Sequence, residues 1–468
     1  MSFIFYDTET TGIETSFDQI LQFAAIRTDA NLKELDRFEI RCRLLPHVVA
    51  APGAVSVTGI RVSQLINPSF PSHYEMVRAI RAKLLSWSPS LFMGWNSMEF
   101  DEHLIRQALY QTLHKPYLTN TDGNSRSDVM RIVQASSLFA PDSLVFPVGD
   151  DGKKVFRLDH VAPANGFKHD RAHDAMADVE ATIFLCQLLA DKVPHIWSSF
   201  MRYSTKAAVI DYISEERIFC LTDFYFGNPY SYLVTPIGKN VENSAEWYVY
   251  DLHVDPQTLM SLSDEHLVTR LNSSPKPIRR LKSNAAPMLF PADDAPEICK
   301  ARAYGEEELE RRIDLLREGS EMRGRLIAAI ASNKKKYPVS PHVEKQIYDK
   351  FIDDFDGRLM DAFHDAEWPL RHAIVDKFQD PRLKILGKRL IHIERPDLLD
   401  EVARAENDLA VAKRMLGHGD DVAWLTLPKA LEQLQEMLNR ASGPELALLG
   451  EHQQHLRERY EQALLQAS

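Results

Sequence analysis

The chain has 468 residues and a formal net charge of −12, with 44% apolar and 26% charged residues. This composition is that of an ordinary globular protein and excludes a fibre or a long disordered chain. The negative charge speaks against a protein that coats nucleic acid through a strongly basic surface, although it leaves room for nucleic acid in a local channel.

The first part of the chain alternates strand-like and helix-like patterns. Apolar, β-prone runs predict strands at residues 3–8, 19–27 and 35–44. The pattern then predicts a helix at 74–85, a strand at 91–95, a helix at 102–113 and a long apolar helix at 175–191. This order predicts an α/β domain that ends near residue 195.

The sequence pattern of the rest of the chain changes twice. Between about residues 200 and 300, short aromatic and β-branched runs predict a small β-rich domain with a helix at 258–271. From residue 306 onward the helical period dominates. At roughly 150 residues per domain, the length also predicts about three domains. We place them at residues 1–195, 196–350 and 351–468.

Localisation is predicted from what the sequence lacks. It has no basic leader and no run of roughly 18 apolar residues, so we expect neither export nor membrane insertion. Its four cysteines are scattered without the CxxC spacing of a zinc site. We therefore expect a cytoplasmic protein.

Two acidic residues stand at the end of the first predicted strand. Asp7 and Glu9 are separated by one residue, and alternate residues of a strand point to the same face. Two carboxylates that close repel each other unless a cation lies between them, and divalent cations prefer oxygen ligands. The pair predicts half of a metal site.

Three further residues extend this pattern, although each has a structural alternative. Asp101 opens the helix after the strand 91–95, where aspartate is also a favoured helix cap. His173 and Asp174 precede the helix 175–191. The ordinary interpretation is that Asp174 caps this helix and that His173 is structural. Asp178 lies one turn inside that helix, where aspartate is a poor helix former, so a specific role is favoured.

Together, the order Asp-x-Glu, Asp, His-x-x-x-x-Asp resembles the DEDDh family of 3′-to-5′ exonucleases. Asp7, Glu9, Asp101, His173 and Asp178 match its five positions. The resemblance implies a ribonuclease H-like α/β fold and two Mg²⁺ ions, with Mn²⁺ as a substitute. Two metal ions can clamp the attacking and leaving oxygens of a phosphodiester.

The resemblance also implies a role for each of these residues. Asp7 would bridge both ions, Glu9 and Asp178 would complete the site on the nucleophile side, and Asp101 would act mainly through water. His173 would be the general base on the attacking water, since imidazole titrates near neutral pH.

The resemblance is more specific to a three-domain bacterial group within the family. The residues that carry it are the segments 156–160, 172–179 and 346–351. It implies an SH3-like β-rich second domain, an all-helical C-terminal domain, and a monomer that removes 5′-mononucleotides processively from single-stranded DNA in DNA repair. Its partner would be the single-stranded DNA-binding protein, bound through its acidic C-terminal tail. Glu9 would also reach the terminal nucleotide, and the other substrate contacts would be Arg157, Arg106, Tyr117, Arg131, Lys206 and Lys282.

Two other functions stay open. The same fold acts on RNA or oligonucleotide 3′ ends in small family members, although two extra domains favour a long DNA track. A binding scaffold with a decayed site would have lost at least one of the five matching residues, and all five are present.

Overall fold

The computed structural model describes residues 2–168, 173–225, 227–295, 299, 304–333, 338–417 and 422–468. Within these ranges, helices and strands follow the predicted order of an α/β unit, a β-rich unit and a helical unit, and the predicted fold class is confirmed. The domain boundaries at 195/196 and 350/351 stay a prediction.

The first unit is built on a five-stranded sheet. Its strands are β1 Phe3–Thr10, β2 Ile20–Thr28, β3 Glu34–Arg41, β4 Leu91–Met93 and β5 Ser125–Arg126. They lie in the order β3-β2-β1-β4-β5, antiparallel between β1, β2 and β3 and parallel from β1 to β4 and β5. Helices cover both faces, which explains why the first four residues of β1 are all apolar.

Eight helices accompany this sheet in the described chain. They are α1 Pro52–Thr58, α2 Val62–Ile66, α3 His73–Trp87, α4 Asp101–Gln111, α5 Val129–Phe139, α6 Leu158–Ala164, α7 Ala175–Lys192 and α8 Pro194–Arg202. The next helix, α9 Lys206–Glu215, packs in the core of the second unit.

Strand β4 is shorter than the predicted strand 91–95. A side chain on Gly94 would bring its Cβ within 2.7 Å of the Tyr6 carbonyl oxygen, so the chain passes β1 closely as it leaves the sheet.

The second unit is a five-stranded antiparallel sheet in the order β10-β6-β7-β8-β9. Its strands are β6 Phe219–Tyr225, β7 Asn228–Lys239, β8 Glu246–Asp251, β9 Ile278–Lys282 and β10 Met288–Pro291. The single helix predicted at 258–271 is wrong, because the segment forms two helices, α10 Gln257–Met260 and α11 Asp264–Asn272. The Ser263 side chain accepts a hydrogen bond from the His266 backbone N–H and so starts a new helix.

The remaining described chain is helical. Its α-helices are Glu306–Leu315, Glu321–Ser332, Asp354–Asp365, Arg371–Val375, Pro381–Glu394, Glu401–Leu416, Leu427–Leu438 and Gly443–Ala467. None of the described helices is long and apolar enough to span a membrane.

Apolar cores join the units. Phe139 of α5 stacks on Phe290 of β10 with ring centroids 3.9 Å apart, and one core runs through both sheets. A second core joins Tyr74 and Tyr110 of the first unit to Phe363 and Leu386 of the helical unit. The extra units are therefore packed against the sheet that carries the predicted metal site.

Candidate active site

Strand β1 directs Asp7 and Glu9 to the face covered by α7. Phe3 and Phe5 point to the same face and belong to the core that contains Val179 of α7. Because side chains alternate along a strand, Asp7 and Glu9 continue this row beyond the apolar residues. The helix that packs on this face carries Asp178.

The predicted carboxylates meet where β1 passes the start of α7. One carboxylate oxygen from each of Asp7, Glu9 and Asp178 lies within 4.8 Å of the others. Glu9 is buried, while Asp7 and Asp178 are half-buried. Residues 171 positions apart in the chain are thus brought to one point by the packing of a strand and a helix.

Asp101 joins this group from α4. Its carboxylate accepts a hydrogen bond of 2.5 Å from the Thr8 hydroxyl, so β1 also fixes this fourth acid. The interpretation of Asp101 as a helix cap is wrong: Phe100 occupies the N-cap position, and Asp101 is the first helical residue.

The four acids disfavour one another's ionised form. Burial and the neighbouring carboxylates raise the pKa of Glu9 to about 9. Burial raises the pKa of Asp101 and of Asp178 to about 7, and burial together with Asp101 and Asp178 raises the pKa of Asp7 well above its ordinary range. A divalent cation would reverse this effect, and an all-oxygen donor set fits Mg²⁺.

His173 lies in the turn before α7. Its φ of 64° places it in the left-handed region, which histidine tolerates better than most side chains. In this conformation its backbone N–H donates a hydrogen bond to the Asp178 carboxylate. The turn therefore fixes the predicted general base beside a predicted metal ligand.

The start of α7 is fastened to the sheet by Asp174. Its side chain caps the helix by accepting from the Ala177 backbone N–H, as the capping alternative predicted. The same carboxylate accepts from Arg41 at 2.8 Å and from Gln22 at 3.2 Å. Strands β2 and β3 thus hold the helix that carries Asp178.

Arg157 stands before α6 and is largely exposed. Its guanidinium makes two hydrogen bonds to the Asp159 carboxylate, at 2.6 and 3.1 Å. Asp159 in turn interacts electrostatically with His173 and Asp178, which places the pair beside the acidic cluster. Sequence reasoning missed Asp159, although it lies in the segment 156–160 that carries the resemblance.

Two predicted substrate contacts lie together, Arg106 on α4 and Tyr117 in the segment that follows it. The Arg106 guanidinium is buried, forms a 2.8 Å ion pair with Glu102, and lies over the Tyr117 ring at 5.2 Å. Arg106 is therefore committed to a protein carboxylate. Its role in DNA binding stays a prediction, as does that of Tyr117.

The remaining predicted contacts lie at or in the β-rich unit. Arg131 pairs with Glu99 at 2.8 Å and donates to the Ala285 carbonyl at 3.0 Å, so it bridges two units. Lys206 approaches the Ser244 hydroxyl at 3.4 Å. Lys282 is exposed at the end of β9, opposite Glu246 of β8. Their roles in DNA binding stay predictions.

Comparison with known proteins agrees with this site. Residues 4–185 match the model of the exonuclease family, and residues 341–459 match that of the exonuclease I C-terminal domain. The chain carries an exonuclease domain and an exonuclease I C-terminal domain. The four carboxylates and His173 all lie within the part that matches the exonuclease family.

Relatives named exodeoxyribonuclease I match most of the chain. Exodeoxyribonuclease I of Escherichia coli strain K12 is 28% identical over 403 residues, covering 82% of this chain and 84% of the relative. Exodeoxyribonuclease I of Haemophilus influenzae is 28% identical over 426 residues, covering 86% and 88%.

Solved structures of the family share the whole fold. E. coli exonuclease I in complex with a dT13 oligonucleotide matches with a TM-score of 0.84 and 25% identity, over 98% of this chain and 99% of that chain. Exonuclease I from Methylocaldum szegediense matches with a TM-score of 0.84 and 23% identity over the same shares, which shows the fold alone. All three units therefore have counterparts in the family.

Proposed function

We propose that this protein is a processive exonuclease that removes 5′-mononucleotides from the 3′ end of single-stranded DNA. The observation that carries the proposal is the convergence of Asp7, Glu9 and Asp178 within 4.8 Å, with His173 held beside Asp178. The names of the relatives and the oligonucleotide complexes of E. coli exonuclease I support DNA as the substrate.

We propose Mg²⁺ as the physiological metal, in two ions, with Mn²⁺ as a substitute. Asp7, Glu9, Asp101 and Asp178 would hold them. Once bound, such ions offset the charge of the phosphoryl oxygens and favour a nucleophilic water and a departing alkoxide. A zinc-bound E. coli exonuclease I complex supports a divalent cation in the family, although it does not select magnesium.

The chain's own residues supply the remaining functions. His173 accepts the proton of the attacking water, and its position is fixed by the turn that joins its backbone to Asp178. Arg157 offers a planar, charged donor to the phosphate near the cleaved bond, and Asp159 holds its guanidinium beside the cluster. Glu9 would also contact the terminal nucleotide.

A comparison of matched DNA and RNA strands tests the substrate. We expect hydrolysis of single-stranded DNA to exceed that of an RNA strand of the same sequence by about tenfold or more in kcat/KM, a modest discrimination for an enzyme. Steady-state kinetics with end-labelled strands give the ratio. A preference for RNA would instead support an exonuclease of RNA or oligonucleotide ends.

We also propose a cytoplasmic monomer that acts in DNA repair and binds the acidic C-terminal tail of the single-stranded DNA-binding protein. A groove of about 650 Å³ in the helical unit supports this partner. Its lining is basic and apolar, as an acidic tail with apolar residues requires. It includes Lys388, Arg389, Lys413, Arg414, Ile385 and Trp424.

Reversing two charges tests the groove. Lys388 and Lys413 are exposed, so the double variant Lys388→Glu/Lys413→Glu should fold normally. We expect it to bind a fluorescent tail peptide about tenfold or more weakly, because like charges replace attraction. Hydrolysis of free DNA should be unchanged. The control is Lys429→Glu, an exposed lysine of the same unit, and equal peptide affinity in all three proteins would refute the groove.

A further inference from the structure

A turn of the β-rich unit touches the exonuclease unit through its backbone. It follows Lys282, the last residue of β9, and contains Ala286 in a left-handed conformation with φ of 41°. The consecutive carbonyls of Asn284 and Ala285 accept hydrogen bonds from Arg126 at 3.1 Å and Arg131 at 3.0 Å. Alanine rarely adopts such a φ, so the surrounding contacts must maintain the turn.

Arg126 is the buried half of this contact. It ends β5, and its side chain is only 7% exposed. One guanidinium nitrogen donates to the Glu102 carboxylate at 3.0 Å, and the other reaches the Asn284 carbonyl. A planar guanidinium presents these donors in fixed directions, so the two partners are held at a set distance and angle.

Glu102 connects this contact to the catalytic acids. Its carboxylate is fully buried and also accepts from Thr119 at 2.6 Å and from Arg106 at 2.8 Å. The Tyr6 hydroxyl donates to it at 3.3 Å. Tyr6 precedes Asp7 and Glu102 follows Asp101, so this carboxylate is tied to the backbone of two predicted metal ligands.

We propose that Arg126 is a positioning residue that fixes the β-rich unit relative to the catalytic acids. It acts through the Glu102 carboxylate on one side and the Asn284 carbonyl on the other. Lys282, two residues before Asn284, is a predicted DNA contact, so Arg126 sets where that part of the DNA path lies relative to Asp101. This inference rests on the proposed exonuclease function.

The role predicts a difference between short and long substrates. A nitrophenyl ester of thymidine 5′-monophosphate contains a single nucleotide, so we expect it to occupy the catalytic centre alone and its hydrolysis not to depend on the β-rich unit. A long single strand needs both surfaces aligned for each successive step. A fault in alignment therefore reduces the number of nucleotides removed per binding event and leaves the chemistry of the ester unchanged.

Arg126→Lys tests this directly. Lysine keeps the charge beside Glu102 but cannot donate to both partners in the same geometry. With a trap for released enzyme, we expect roughly threefold to tenfold fewer nucleotides removed per binding event on oligothymidylate, as loss of a charged hydrogen bond implies. The kcat and KM for the ester should stay within about twofold of the wild-type values, which is less than the loss of one charged hydrogen bond at the catalytic centre would cause. The control is Arg217→Lys, which alters an exposed ion pair with Glu310 in the same manner.

A second measurement reports position without activity. Spin labels on Ser86→Cys in α3 and Val241→Cys in the β-rich unit, both exposed, give a distance distribution between the units. We expect Arg126→Lys to broaden or shift it and Arg217→Lys to leave it unchanged. The proposal would be overturned if Arg126→Lys changed neither the number of nucleotides removed per binding event nor the distance distribution. It would also be overturned if the variant lost activity equally on the ester and on DNA. A wild-type protein that degrades no DNA would instead refute the proposed function.

Discussion

Replacing Asp178 by asparagine should abolish hydrolysis and leave DNA binding largely intact. The side chain keeps its size but loses the charge that completes the cluster with Asp7 and Glu9. We expect kcat to fall by about 10³-fold or more, since a metal site supplies several kcal/mol of transition-state stabilisation. Single-turnover kinetics and binding to a labelled oligonucleotide in EDTA separate the two effects.

Asp174→Asn is the matched control for this variant. Asparagine caps a helix as well as aspartate does, and Asp174 lies one turn before Asp178. It should keep most of the activity. Equal hydrolysis by Asp178→Asn and the wild-type protein would refute the metal-site assignment.

The Asp178→Asn substitution should also stabilise the metal-free protein. Burial raises the pKa of Asp178 to about 7, well above the value of about 3.9 for an aspartate in an unfolded chain. The folded state therefore binds the proton more tightly, and the contribution of this group to stability is lost as pH rises from about 4 through about 7. At pH 8, the EDTA-treated variant should unfold at a higher temperature than the EDTA-treated wild type. Magnesium should then raise the Tm of the wild type more than that of the variant.

Replacing His173 by alanine should lower kcat by about 10²-fold or more near neutral pH, the ordinary contribution of a general base. An imidazole accepts a proton only when it is neutral, so the wild-type rate should fall once His173 is protonated. The variant should lose this dependence, and added imidazole should restore part of its rate. The measurement is a pH profile of kcat with saturating DNA.

His195→Ala is the control for this second variant, because His195 is an exposed histidine in α8. Its rate and pH profile should match those of the wild type. Full activity of His173→Ala would rule out His173 as the base and require another acceptor for the proton.

The central residues of the site could be predicted because short-range patterns carry them. The period of two in β1 places Asp7 and Glu9 on one face, and the structure confirms that they share it. The fold class followed from the alternation of strand and helix patterns. The position of Asp178, one turn inside a helix with an apolar face, also followed from local spacing.

Other features depend on contacts that no local pattern contains. Asp159 accepts hydrogen bonds from Arg157 and interacts electrostatically with His173 and Asp178, and none of these partners is visible in the local sequence pattern. Glu102 is an ordinary acidic residue at a helix start until Arg126 and Thr119 converge on it. The Asn284 carbonyl carries no side-chain signal at all. Glu102 and Arg106 are one helical turn apart, so their pairing could be predicted from local spacing, but the burial of the pair could not.

The most direct test of the acidic cluster as a nuclease centre uses a single strand labelled at its 5′ end and uniformly labelled in its nucleotides. With Mg²⁺, we predict that the strand shortens from its 3′ end and releases 5′-mononucleotides, that a matched duplex resists, and that EDTA stops the reaction. Hydrolysis that continues in EDTA, or internal cleavage without mononucleotide release, would contradict the account.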